Sequence, residues 1–130
     1  MNKISTTTLI LTALAVGLIS LSMDSIPVLA QTGTSISISM LPGSAAPNPE
    51  NKYYDPSPVN IAVGTNVTWI NNDATLHTAT SGTPDSGPSG EFDSSYLTKG
   101  KTFSHTFDKV GTFDYYCTLH PYMIGQIVVK

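Results

Sequence analysis

What most constrains the fold of this chain is strand-like alternation, with no helical period in its last hundred residues. Across 60–71 the odd positions Ile61, Val63, Val67 and Trp69 are apolar, Asn60, Asn66 and Thr68 are polar, and Gly64-Thr65 breaks the run. Successive side chains of a strand point to opposite faces, so the pattern predicts two short, half-buried strands. Ser35 to Leu41 alternates in the same way, with Ile36, Ile38 and Met40 on one face. Lys101 to Phe107 and Thr112 to Cys117 read as strands around a turn at Lys109-Val110-Gly111, and Gln126 to Lys130 as a closing strand. His77 to Thr80 reads as one more. Five prolines (Pro42, Pro47, Pro49, Pro56 and Pro58) mark a loop, and Ser81 to Gly90, built only of Ser, Gly, Thr, Pro and Asp, reads as another. Six to eight short strands at this spacing predict an all-β sandwich or barrel.

Composition narrows the function. A net charge of −3, with six Lys and no Arg, provides no basic surface to neutralise phosphates, so no nucleic-acid partner is expected. One cysteine in 130 residues excludes a disulfide scaffold. Residues 1–30 read as a signal peptide: Lys3 precedes an apolar run from Leu9 to Leu21, and Val28-Leu29-Ala30 supplies small or short apolar residues for cleavage. The alternative is a retained membrane anchor through residues 4–23, which carry no charge. Either way the domain, residues 31–130, is expected outside the cytoplasm, periplasmic, pseudoperiplasmic or secreted. A lone cysteine kept in an oxidising space needs a reason.

The sequence places that reason at its end. Cys117-Thr118-Leu119-His120-Pro121-Tyr122-Met123 sets a thiol, an imidazole and a thioether at intervals of three, where an alternating strand enters a proline-containing turn. Sulfur donors together with imidazole select copper over magnesium or calcium. A fourth donor must come from elsewhere, and His77 follows the end of the Trp69 strand. Two His, one Cys and a weak axial Met form the ligand set of a mononuclear copper electron-transfer site. If Met123 only packs nearby, the axial position is open. Zinc with Cys and two His plus a water is a second reading, but no acid stands out as its general base. A Cys–His nucleophile is a third, yet the alternation turns Cys117 inward. His105 alternates with Phe103 and Phe107, which reads as a packing role. Asn66-Val67-Thr68 matches a glycosylation sequon but lies inside a strand.

Over roughly residues 56–130, with Ser35 to Leu41 as the expected first strand, the chain resembles the cupredoxins, in particular the plastocyanin, amicyanin and halocyanin group. The resemblance is carried by Pro58-Val59, Val63-Gly64-Thr65, Val67-Thr68-Trp69 with Asn71 and His77, then Phe107, Gly111, Tyr115-Tyr116-Cys117, His120-Pro121, Met123 and Gly125. It implies a Greek-key β-sandwich, mostly antiparallel, and one copper per chain cycling between Cu(I) and Cu(II), held by His77, Cys117, His120 and Met123. It also implies a one-electron carrier rather than an enzyme. His120 would present its ring edge to redox protein partners through an apolar patch that includes Pro121 and Tyr122, and Tyr116 would serve as a second, remote port. Nitric oxide or nitrite chemistry at an open copper site and copper carriage are the alternative functions. One residue departs from the pattern: the position after the first ligand His is often Asn, which braces the copper loops, and here it is Thr78.

Overall fold

Nine strands form within residues 33–130, the part of the chain that the computed structural model describes. They are β1 (Ser35–Met40), β2 (Tyr54–Asp55), β3 (Val59–Ile61), β4 (Thr65–Asn71), β5 (Thr80–Thr83), β6 (Gly87–Asp93), β7 (Thr102–Phe107), β8 (Gly111–Tyr116) and β9 (Ile124–Val129). One sheet runs β2-β1-β4-β7 and the other β3-β9-β8-β5-β6, so the chain crosses between sheets repeatedly and closes an all-β sandwich. Pairing is antiparallel except for β1 with β4 and β3 with β9. Among the described residues no helix is long and apolar enough to cross a membrane. The signal peptide at 1–30 and the anchor through 4–23 lie outside the described residues.

The alternating positions meet between the sheets. Trp69 on β4 is fully buried, stacked on Phe92 of β6 at 5.2 Å and on Phe103 of β7 at 5.7 Å, with Tyr115 of β8 against it edge-on at 5.4 Å. Such aromatic pairs each add about 0.5–1.5 kcal/mol beyond the area they bury. Ile38, Met40, Val67, Ile127 and Val129 complete this core as their alternation requires.

Three local expectations fail. Val63 is 46% exposed rather than inward. The Thr65 N–H donates to the Ala62 carbonyl, and Gly64 has φ +89, so Val63 is a corner residue of a tight turn of the kind that needs a positive φ at its third position. Ser81 to Gly90 is not a loop but the greater part of the β5–β6 hairpin, turned at Pro84-Asp85-Ser86. This hairpin forms the sheet edge, where little hydrophobic alternation is needed. Across its register shift the Ser81 hydroxyl replaces ladder partners, donating to the Phe92 carbonyl and accepting from the Phe92 N–H, both at 3.0 Å. His77 likewise lies before β5, joined to Leu97 only by an isolated bridge.

Gly125 sits opposite Tyr115 in the β8–β9 register, and a Cβ added there would run into the Tyr115 ring. Tyr115 is fully enclosed. Gly125→Ala is expected to cost about 1–3 kcal/mol through overpacking, read as a lower melting temperature. A melting temperature equal to wild type would show that the ring has room to shift.

Candidate metal centre

Cys117 leaves β8 into a loop that folds back on itself. The His120 N–H donates to the Cys117 carbonyl (3.2 Å), the Met123 N–H to the His120 carbonyl (2.8 Å), and the Cys117 N–H to the Met123 carbonyl (3.1 Å). Two tight turns and a closing bond therefore return the chain to β9 and gather Cys117, His120 and Met123 at one end of the sandwich. Cys117 and Met123 are fully buried, and His120 is partly exposed.

His77 arrives from the segment between β4 and β5. The fully buried Asn71 side chain ties that segment down, donating to the Thr75 carbonyl (2.8 Å) and the Leu97 carbonyl (2.7 Å) and accepting from the Asp73 N–H (2.9 Å). The His77 ring, also fully buried, points Nδ1 at Cys117 Sγ, 3.8 Å away, and His120 Nδ1 lies 3.7 Å from the same sulfur. All three donor atoms fall within 4.8 Å of one another.

Asp73 Oδ2 lies 2.7 Å from His77 Nε2 on the far side of the ring. A carboxylate accepts hydrogen bonds, so Nε2 carries a proton and Nδ1 is the ring nitrogen that faces the sulfur. Asp73 Oδ1 also accepts the Gly43 and Ala74 N–H groups; burial alone would push the Asp73 carboxyl up, but these bonds and the one to His77 outweigh it and hold the group below the usual carboxylate range. Burial alone would push the Cys117 thiol up. Hydrogen bonds with His77, the Thr78 N–H (3.3 Å) and His120 overcome it and bring the thiol down to about 6. A thiolate-forming sulfur beside two imidazole nitrogens, with the nearby carboxylate turned to the outer face of His77, is a soft donor set that fits copper.

The model of the copper-binding proteins of the plastocyanin/azurin family matches residues 47–130. The chain belongs to this family. It is a cupredoxin, and its cofactor is copper, one per chain. It is 38% identical over 81 residues to amicyanin of Paracoccus denitrificans, a match covering 61% of this chain and 59% of that protein. The match therefore spans only about three fifths of that relative's length. The purple cupredoxin of Nitrosopumilus maritimus superposes with a TM-score of 0.67 at 32% identity, over 72% of this chain and 98% of that one. A copper-containing nitrite reductase of Thermus scotoductus gives a TM-score of 0.57 at 26% identity, over 74% of this chain but 22% of that one.

Four further residues singled out in the sequence take distinct places. Pro121 is exposed beside His120. Tyr122 is only partly exposed: its hydroxyl donates to the Ser44 carbonyl (3.1 Å), and its ring packs on Tyr53 at 5.2 Å and edge-on to His120 at 5.9 Å. It ties the metal loop to the proline-rich segment as well as bordering the surface. Tyr116 is 6% exposed, which leaves a remote port little surface. His105 packs between Phe92 and Phe107 and is not among the clustered donors.

At the position where the resemblance expects Asn, Thr78 Oγ1 accepts the Thr118 N–H at 3.0 Å and so ties this segment to the metal loop. The sequence reading missed Asp73, although an acid four residues before a candidate ligand His is a usable signal. It also missed Tyr54, whose buried hydroxyl donates to the Thr78 carbonyl at 2.7 Å across 24 residues and leaves no local trace.

Proposed function

We propose that this cupredoxin is a one-electron carrier whose copper is held by His77, Cys117, His120 and Met123, with His120 as the port. When bound, copper supplies the Cu(I)/Cu(II) couple. The observation that carries the reading is the graded burial: His77, Cys117 and Met123 are fully buried, and His120 alone of the four reaches the surface. The chain's own bonds hold the donor atoms close together in advance, which supports a site that rearranges little as an electron passes.

Beside His120 stand Leu119, 42% exposed, and Pro121. This small apolar surface suits transient docking to redox proteins, whose interfaces fall below about 1,200 Å². Tyr122 supports it from below. The leader composition supports a place outside the cytoplasm, with residues 4–23 as the anchor where cleavage does not occur.

Copper-loaded protein is expected to titrate reversibly with one electron, and Leu119→Lys to slow electron self-exchange by about tenfold or more at unchanged potential, because two copies then meet with like charges in contact. Line broadening in mixed Cu(I)/Cu(II) samples measures this. Wild-type exchange in that variant would refute the docking surface, and rapid consumption of nitrite or nitric oxide by the reduced protein would refute the carrier.

A further inference from the structure

The segment Thr78-Ala79-Thr80 is held between the metal loop and the turn that follows β6. On one side the Thr118 N–H donates to Thr78 Oγ1 at 3.0 Å. Thr78 Oγ1 and Thr80 Oγ1 lie 2.9 Å apart, and the Thr80 hydroxyl donates to Asp93 Oδ1 at 3.0 Å. A carboxylate only accepts, so the Thr80 proton is committed to Asp93. Thr80 oxygen is then free to take the Thr78 hydroxyl proton, the shorter of that hydroxyl's two contacts (2.9 Å, against 3.4 Å to Thr118 Oγ1), and Thr78 oxygen faces the Thr118 N–H. One surface carboxylate thus orients every hydroxyl between itself and the metal loop. Both threonines are buried, at 0% exposure for Thr80 and 1% for Thr78, where such chains strengthen one another.

The outer end is itself anchored. Asp93 Oδ1 accepts the Ser95 N–H at 2.9 Å, the Ala79 N–H donates to Ser94 Oγ at 2.8 Å, and the Ser94 N–H returns to the Ala79 carbonyl at 3.1 Å. The inner end touches the chemistry, because the Thr78 N–H is the group that donates to Cys117 Sγ at 3.3 Å.

We propose that Asp93 is a positioning residue for the copper centre: through Thr80 and Thr78 it fixes the N–H···Sγ bond on Cys117 and thereby sets the reduction potential. The inference rests on the reading that Cys117 binds the copper. Hydrogen bonding around that sulfur tunes the potential of such sites. A firm N–H···Sγ bond draws electron density from the thiolate and favours Cu(I), so loosening it lowers the potential.

The clean test is Thr80→Val, which cuts the chain and keeps the Asp93 charge, with Thr80→Ser as its rescue. Copper-loaded wild type must first show the thiolate-to-Cu(II) band; without that band the copper reading fails and this inference with it. Given the band, Thr80→Val and Asp93→Ala should each shift the Cu(I)/Cu(II) equilibrium roughly three- to tenfold toward Cu(II), the worth of one hydrogen bond. Thr80→Ser and Asp93→Asn, which keep an acceptor in place, should restore it to near wild type. The double variant should shift no further than either single, since both break one chain. Asp93→Ala, altering an exposed residue, keeps the test open where Thr80→Val does not fold. A wild-type potential in both Thr80→Val and Asp93→Ala overturns the inference while leaving the copper reading standing. So does a potential raised equally by Asp93→Asn and Asp93→Ala, which would mean that the charge acts by its field alone.

Discussion

Cys117→Ser is expected to abolish the intense visible absorption of the copper-loaded protein. That absorption needs a thiolate on the metal, and a serine hydroxyl is a harder donor that does not ionise near neutral pH. Copper affinity should fall by more than the roughly 10- to 100-fold typical of losing an outer partner of a ligand. The apo fold should survive, because a serine oxygen can still accept the Thr78 N–H that now reaches Cys117 Sγ. Visible spectra and chelator competition measure the first two effects, and a melting curve of the metal-free protein the third. Retained colour in this variant would remove Cys117 from the ligand set.

The second large effect is expected at Asp73. Asp73→Ala strips a partner from the buried His77 Nε2–H and from the Gly43 and Ala74 N–H groups. An unsatisfied buried donor costs about 1–3 kcal/mol, so the melting temperature of the metal-free protein should fall. Copper affinity should drop roughly 10- to 100-fold, since the His77 ring then loses the hydrogen bond that fixes its Nε2 edge.

Asp73→Asn separates these effects. Its amide oxygen can keep the two backbone bonds made by Oδ1, but its NH₂ then faces His77 Nε2. Two donors cannot face each other, so His77 is pushed to the tautomer that protonates Nδ1, the nitrogen aimed at the site. Asp73→Asn should therefore lose copper affinity with a smaller loss of stability than Asp73→Ala. Wild-type affinity in both variants would show that Asp73 is irrelevant to the metal.

The parts of this molecule that the sequence made legible share one property: their determinants are close together in the chain. β1, β4 and β7 to β9 announce themselves because a strand facing a core must alternate. Cys117, His120 and Met123 were readable because a loop of seven residues closes on itself through the bonds from His120, Met123 and Cys117. Val63 misled because a residue at a turn corner can fit a strand's parity by chance. The β5–β6 hairpin was hidden because it holds its edge position with Ser81 hydroxyl bonds and glycines instead of apolar side chains.

Sequence alone determined the fold class and the donor types, and with them the metal, since alternation dictates burial and ligand softness dictates the ion. Only the tertiary structure decided how the donors are held. Asp73 meets the Gly43 N–H across 30 residues, Thr118 meets Thr78 across 40, and Tyr122 meets the Ser44 carbonyl across 78. Each of these bonds exists because the two sheets pack in one register and bring separate loops to the same end of the sandwich. No pattern within a single segment encodes that juxtaposition. The close spacing of Cys117 and His120 therefore made the donor chemistry legible, while packing between distant loops specified its geometry.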